Sequence, residues 1–144
     1  MIRGPRQSDQ NYIASTWVRS LAGVANRRLG RRGGEIGIAV DQVLDRGDTR
    51  ALIRHQAGNR DHILGYVVFV EGAGVPVVHY IYVRQDYRGR GLATQLLREA
   101  GVTSDSSVVC TSLGPDSARI RSRYQGAVYM PLDEFLQPPK GIRP

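Results

Sequence analysis

Residues 77–97, VVHYIYVRQDYRGRGLATQLL, join an apolar stretch to a glycine-containing turn and a helix-forming stretch. The pattern predicts a strand up to about Val83, a polar turn over Arg84–Arg90 and a helix from about Gly91. Gly89 and Gly91 allow a tight turn and a close approach of the backbone to a ligand. The free amides at a helix start attract anions, and the arginines of the turn add positive charge. The segment therefore predicts a site for a phosphate-bearing ligand.

Two common phosphate-binding motifs do not fit this turn. A Walker-type loop requires a lysine after its second glycine, and the only lysine of the chain is Lys140. A dinucleotide fingerprint would require glycine where Thr94 stands, within a parallel βαβ unit, whereas the preceding strands are predicted to be antiparallel. The spacing thus argues against both of these ligand classes.

The elements around the turn follow from capping residues, hydrophobic periodicity and turn residues. In chain order they are a strand, two helices, a three-stranded meander, a helix, a strand, a helix and a strand. The predicted ranges are Ile2–Arg3, Ser8–Ala25, Glu35–Asp45, Thr49–Gln56, His62–Glu71, Val75–Val83, Leu92–Ala100, Ser107–Ser112, Pro115–Tyr124 and Ala127–Met130. Ser8 or Asp9 is expected to cap the first helix, and Arg27–Gly34 and Ala57–Asp61 are expected to form loops. This order predicts an α/β (α+β) domain with a mixed, mostly antiparallel sheet.

The buried faces of the first two helices are predicted from their spacing. They carry Ile13, Trp17, Leu21, Val24, Ile36, Ala39, Val40, Val43 and Leu44. Tyr12 and Thr16 lie alongside the first of these stripes.

The turn resembles the acyl-CoA signature of the GNAT superfamily of N-acetyltransferases, Gln/Arg-x-x-Gly-x-Gly/Ala. Arg88, Gly91 and Ala93 fill its three fixed positions. The order of elements, with two helices before the meander, is also similar to that family. The resemblance implies one GNAT-like domain over residues 1–136, with about four flanking helices and a V-shaped cleft between two central strands. Residues 137–144 are expected to form a flexible tail.

The same resemblance implies acetyl-CoA as the co-substrate. The acetyl group would pass directly to an amine acceptor, which would be a protein lysine or N-terminus or a small molecule. Backbone groups of Ile81 and Val83 would bind the pantetheine arm. The turn would hold the pyrophosphate through Arg88, Gly89, Arg90, Gly91, Leu92, Ala93 and Thr94.

Tyr124 resembles the tyrosine that protonates the leaving thiolate in this family. The chain departs from the family around it, with Asp116 or Ser117 in place of the common Asn and Gly126-Ala127 in place of Gly-Phe. The alternative for Tyr124 is a packing role at the end of a helix.

His79, on the cleft strand, is the candidate general base, because the ordinary pKa of histidine suits proton transfer near neutral pH. It alternates with Tyr80, so one of the two is expected to face the packed side of the sheet. A structural role is the alternative, and Glu71 is a weaker candidate for the base.

Positive charge is concentrated near the N-terminus of the chain. There are 20 Lys and Arg against 13 Asp and Glu, a formal net charge of +7. The arginines at 27, 28, 31 and 32 could form a solvated face, or could bind nucleic acid or an acidic host protein. The alternatives to the transferase are therefore a GNAT-fold binding protein that uses Arg27, Arg28, Arg31 and Arg32, and a GNAT-like DNA-modifying enzyme. In a transferase, this loop would disfavour polycationic acceptors.

Other features of the sequence exclude further classes. Cys110 is the only cysteine, and His55 and His62 have no acidic or cysteine partner at ligand spacing, so neither an internal disulfide nor a metal site is predicted. The apolar runs are shorter than the about 20 residues of a membrane helix, and no secretory signal is visible. We expect a cytoplasmic monomer or homodimer without a membrane segment. Residues 10–20 resemble the first helix of bacteriophage-encoded GNAT-like proteins, which would place it in the host cytoplasm.

Overall fold

The fold is given by a computed structural model of the chain, which describes residues 1–28, 33–72, 74–103, 107–112, 124, 126–130 and 132–136. The strands are β1 (Ile2–Arg3), β2 (Thr49–Gln56), β3 (Asn59–Val70), β4 (Val77–Val83), β5 (Ser107–Cys110) and β6 (Gly126–Tyr129). The α-helices are α1 (Gln7–Arg28), α2 (Gly33–Leu44), α3 (Leu92–Glu99) and α4 (Leu132–Leu136).

The six strands form one sheet in the order β1–β2–β3–β4–β5–β6. The pairings from β1 through β4 are antiparallel, and β4–β5 and β5–β6 are parallel. The predicted α+β class and mixed, mostly antiparallel sheet are confirmed. The predicted helix over Pro115–Tyr124, apart from Tyr124 itself, and the predicted tail at 137–144 lie outside the described residues.

Helices cover both faces of the sheet, which makes β4 a buried central strand. The buried cluster on the α1 and α2 side contains Ile13, Trp17, Val40, Val43, Ile53, Tyr66, Val68, Tyr80 and Leu132. The cluster on the α3 side contains Val67, Val78, Ile81, Leu96, Leu97, Val102, Val108, Cys110 and Tyr124. Four predicted core residues of the first two helices, Ile13, Trp17, Val40 and Val43, are fully buried, while the side chains of Leu21, Val24 and Ile36 lie outside the described part.

The start of α1 differs from the predicted cap. Asp9 lies inside the first turn, where its carboxylate accepts a hydrogen bond from the Arg6 amide at 2.7 Å and an ion pair from Arg3 at 2.7 Å. This is the back-reaching half of a capping box, in which a first-turn acid satisfies the amide of the residue before the helix. The hydrogen bond from Arg3 lowers the pKa of Asp9 below its usual value. Asp9 thereby ties α1 to strand β1.

Two predicted loops are shorter than expected. α1 runs to Arg28 and α2 begins at Gly33, so both ends of the predicted Arg27–Gly34 loop are helical, and residues 29–32 lie outside the described part. β3 begins at Asn59, so only Ala57 and Gly58 separate it from β2. Gly58 has a φ of 79°, which is the left-handed conformation that a tight hairpin requires. The predicted five-residue turn was therefore wrong.

Gly65 allows β3 and β4 to approach closely. A Cβ atom at this position would meet the Tyr82 carbonyl oxygen at 2.5 Å. Because that oxygen belongs to the backbone of the central strand, the clash is relieved only by a shift of β4.

We predict that Gly65→Ala destabilises the protein by about 1–3 kcal/mol through this clash. Urea unfolding would measure the change. The matched control is Gly37→Ala in α2, where an added Cβ meets nothing within 4 Å, so the helical substitution is expected to be neutral or stabilising. A Gly65→Ala variant as stable as the natural protein would contradict the assigned register.

Candidate functional site

The parallel pairing of β4 with β5 covers only one end of β4. The paired residues are Val77 with Val109 and Val78 with Cys110. The last backbone bond of the pair runs from the Thr111 amide to the Val78 carbonyl, at 3.1 Å. Within the described residues, β5 gives the rest of β4 no further partner, so the two strands enclose the predicted V-shaped cleft.

A bulge in β4 lies at the apex of this cleft. Val68 of β3 pairs with Tyr80 and Phe69 pairs with Val78, which leaves His79 as the additional residue. The bulge breaks the alternation of side chains, and both His79 and Tyr80 stack with Trp17 of α1, at ring distances of 6.1 and 5.7 Å. The expected separation of His79 and Tyr80 onto opposite faces was therefore wrong.

Beyond the bulge, Ile81 and Val83 present their backbone groups to the cleft. The Arg84 amide bonds the Leu64 carbonyl of β3, and alternate residues of a strand turn the same way. Tyr82 and Tyr80 therefore face β3, whereas Ile81 and Val83 face the opposite edge. The position of the Val83 carbonyl agrees, since it accepts a hydrogen bond from Arg88 Nε at 3.0 Å.

The turn after β4 delivers the chain to the N-terminus of α3. A 3₁₀ turn over Gln85–Tyr87 is followed by Gly89 and Gly91, with φ values of 79° and 81°. The first amides of a helix have no intrahelical partner. Gly91, the N-cap of α3, has no side chain to bond them, so these amides are open to a ligand. Both glycines and Arg90 are exposed, and the Arg90 guanidinium lies 5.1 Å from the centre of the Tyr87 ring. The arrangement is suited to binding an anion.

A family model described as an acetyltransferase (GNAT) domain matches residues 47–125, which is more than half of the chain and includes the cleft strand and the turn. The chain belongs to the GNAT acetyltransferase family. No curated protein sequence matches it.

Solved GNAT structures share its fold at low sequence identity. A possible acetyltransferase from Clostridium difficile 630 has a TM-score of 0.53 and 14% identity, over 87% of this chain and 86% of its own. The aminoglycoside N-acetyltransferase AAC(6')-Iy in complex with CoA has a TM-score of 0.52 and 14% identity, over 87% and 84%. A putative GNAT acetyltransferase from Staphylococcus aureus has a TM-score of 0.50 and 14% identity, over 68% and 85%.

His79 is entirely buried at the apex of the cleft of this GNAT domain. Its Nδ1 lies 2.8 Å from the Thr111 hydroxyl, and Phe135 of α4 meets the ring edge-on at 4.7 Å. Burial, and secondarily the charge of Arg46, lowers the pKa of His79 to about 4. The ring is thus neutral near pH 7 and is a weak base there.

Tyr124 packs into the apolar cluster on the α3 side of the sheet and is 8% exposed. That cluster includes Ile81, whose backbone faces the cleft. Glu71 follows the far end of β3, where Arg50 binds its carboxylate at 2.7 Å, and the cleft opens toward the opposite end of β4. Tyr124 thus shares an apolar cluster with two residues of β4, Val78 and Ile81, whereas Glu71 is engaged by Arg50.

His55 and His62, for which the sequence predicts no metal site, each form a hydrogen bond with a different partner. His55 Nδ1 bonds the Gln56 carbonyl, and His62 Nε2 accepts from Arg84 at 2.8 Å. Among the described residues, no group of three metal-ligating side chains occurs, and no helix is long and apolar enough to cross a membrane. The side chains of Arg27, Arg28, Arg31 and Arg32 lie outside the described part.

Sequence reasoning missed two features of the site. Thr111 and Ser112, at the end of β5, form buried hydrogen bonds with His79 and Trp17. Two consecutive hydroxyl side chains after an apolar strand were the available signal. The second is a cavity of about 400 Å³ behind the turn, lined by Ser8, Asp9, Tyr12, Asp61, His62, Ile63 and Arg84. These residues come from three distant segments, so no local pattern indicates the cavity.

We predict that His79 makes the protein sensitive to acid. Its pKa is 6.5 in the unfolded chain and about 4 in the fold. The contribution of His79 to the free energy of unfolding is therefore fully present above pH 6.5. It is lost as the pH falls toward 4, and the total loss is about 3 kcal/mol. Urea unfolding between pH 7 and 4 would measure this slope. His79→Asn retains a group able to bond Thr111 but does not titrate, so the slope should decrease; an unchanged slope would refute the assignment.

Proposed function

We propose that this protein is an acetyl-CoA-dependent N-acetyltransferase that transfers the acetyl group directly to an amine. The observation that carries the proposal is the open edge of β4 at Ile81 and Val83, which leads into the uncapped N-terminus of α3. A hydrogen-bonding edge followed by an anion site matches a pantetheine arm followed by a pyrophosphate. We assign the activity to a single GNAT domain over residues 1–136, as the family resemblance implies.

The residues around the turn have different proposed roles. Ile81 offers its amide and carbonyl to the pantetheine arm, whereas Val83 offers its amide, since Arg88 already occupies its carbonyl. Arg88 thus fastens the turn to the strand, and Arg90 is free to meet the pyrophosphate. The amides that would bind the phosphate oxygens belong to Gly89, Arg90, Gly91, Leu92, Ala93 and Thr94.

Acetyl-CoA supplies an acetyl group activated as a thioester. The amine nitrogen bonds to the carbonyl carbon, the carbon–sulfur bond breaks, and the thiolate takes up a proton. We propose Tyr124 as the donor of that proton, on the family resemblance and on its packing with the cluster that contains Ile81. Because His79 is buried and weakly basic, we propose that the amine proton leaves through solvent in the open cleft and that His79 acts by positioning.

The charge of the chain favours certain acceptors. A net charge of +7, concentrated in the segment containing Arg27 and Arg32, repels polycations and attracts acidic surfaces. AAC(6')-Iy, which shares the fold, is an aminoglycoside N-acetyltransferase. For the present chain we propose instead an amine on an acidic protein or peptide, such as a lysine or an N-terminus.

The proposed cofactor site is tested by Gly91→Glu. The added carboxylate repels the pyrophosphate and blocks the approach to the helix amides, so we expect calorimetry to show acetyl-CoA binding by the natural protein and none by the variant. Gly58→Glu is the matched control, because Gly58 has a similar φ of 79° and equally open surroundings but lies in the β2–β3 hairpin. Binding that survives Gly91→Glu, or is absent from the natural protein, would refute the site.

The proposed acid is tested by Tyr124→Phe. We expect kcat to fall by about 10²-fold, as for the loss of a general acid, while acetyl-CoA affinity stays the same. Release of CoA would be followed with an acidic peptide, spermidine and an aminoglycoside as acceptors. Unchanged turnover in the variant would leave Tyr124 with a packing role, and preferential use of spermidine would contradict the proposed acceptor class.

A further inference from the structure

Four side chains close the apex of the cleft, and none of them is more than 2% exposed. They are Trp17, His79, Thr111 and Ser112. Two hydrogen bonds connect them, from Trp17 Nε1 to Ser112 Oγ and between His79 Nδ1 and Thr111 Oγ1, each 2.8 Å long. Thr111 and Ser112 directly follow β5, so these side-chain bonds begin where the backbone pairing of β4 with β5 ends.

Trp17 connects the two strands through helix α1. Its indole stacks on Tyr80 of β4 with an interplanar angle of 6° and also lies over His79. The same side chain donates its N–H to Ser112, the second residue after β5. The separation of the strands is therefore fixed by a buried aromatic side chain of a third element.

The His79–Thr111 bond determines where the separation begins. The Thr111 amide still bonds the Val78 carbonyl, while the Thr111 hydroxyl reaches the ring of His79 and lies 3.4 Å from the His79 carbonyl. His79 Nε2 has no partner among the described residues. Since the ring is held at Nδ1 alone, Thr111 is its only polar anchor in this part of the structure.

The acyl end of the co-substrate would meet this apex. This step rests on the proposed function, in which the pantetheine arm lies along Ile81 and Val83 with the pyrophosphate at the turn. A strand rises about 3.3 Å per residue, so His79 lies about 13 Å back from Val83, a distance comparable with the reach of the pantetheine arm. The thioester would therefore stop near His79.

We propose that Trp17, His79, Thr111 and Ser112 are positioning residues that fix the depth of the cleft and so select the acetyl group over longer acyl groups. A longer chain would fit only if the strands parted further, which would break a buried hydrogen bond. Close-packed interiors yield little to added volume. One extra methylene in a filled pocket reduces binding by about 10-fold or more.

The test is calorimetry of acetyl-, propionyl- and butyryl-CoA with the natural protein, Thr111→Val and Thr111→Ser. Valine keeps the shape of threonine and removes the hydroxyl, whereas serine keeps the hydroxyl. The natural protein should prefer acetyl-CoA to butyryl-CoA by at least about 10-fold. Thr111→Val should reduce this preference several-fold by improving the binding of the longer acyl chain. Thr111→Ser, which keeps the hydroxyl, should retain the preference of the natural protein. General damage to the fold would weaken all three ligands together.

Two outcomes would overturn this proposal without touching the proposed function. One is equal binding of the three acyl-CoA molecules by the natural protein, which leaves the proposed function intact. The other is an identical chain-length preference in Thr111→Val and the natural protein. Binding of none of them would refute the proposed function together with this inference. If Thr111→Val fails to fold, Ser112→Ala replaces it in the test, because this variant removes the bond between Trp17 and Ser112. The same several-fold reduction in the preference for acetyl-CoA is then expected.

Discussion

Among the described residues, the hydrogen bond from the Thr111 amide to the Val78 carbonyl is the last backbone bond between β4 and the β5 segment, and the geometry of the site depends on this end of the pairing. An unpaired backbone edge in the middle of a sheet is costly unless solvent or a ligand satisfies it. Here the backbone groups of Ile81 and the Val83 amide receive no partner from β5, while the Val83 carbonyl is bonded by Arg88. Within the described residues, the interrupted pairing thus leaves an edge of backbone groups beside the cleft.

The bulge at His79 is the second half of the same device. It reverses the direction of the backbone N–H and C=O groups between Val78 and Tyr80. The groups of Val78 therefore point toward β5, and those of Tyr80 point toward β3. It also turns His79 toward α1, into a buried site beside Trp17 and Phe135. Burial keeps the imidazole neutral, because a charged ring there would lose its hydration and the charge of Asp48 only partly offsets that loss.

The two faces of the sheet carry different kinds of side chain. The α1 side carries the aromatic and hydroxyl side chains that define the apex, where Trp17 bonds Ser112 and His79 bonds Thr111. The α3 side is apolar except at the helix start, where Gly89 and Gly91 expose backbone amides. Arg88 joins the two regions, since its bond to the Val83 carbonyl holds the turn against the end of β4. The backbone edge at Ile81 and Val83 and the apex at His79 thus belong to a single strand.

The sequence by itself determined the order of the described elements, the mixed sheet, the glycine-containing turn before α3 and the family. These depend on local signals, namely the alternation of apolar residues in β4, the two glycines and the periodicity of the helices. The family resemblance named Ile81 and Val83 as the backbone positions for the pantetheine arm, and the pairing of β4 with β3 turns these two residues away from β3.

Only the tertiary structure decided the environment of His79, the engagement of Arg88 with Val83, and the apex formed with Thr111 and Ser112. A bulge arises from the register between two strands, and the pairing of Trp17 with Ser112 joins residues 95 positions apart. Neither the bulge nor this long-range hydrogen bond produces a periodic pattern of residues that could be recognised in the sequence. The short β2–β3 turn and the inward position of Asp9 were missed for a related reason, because sheet pairing and the Arg3 ion pair override the local preferences of those residues.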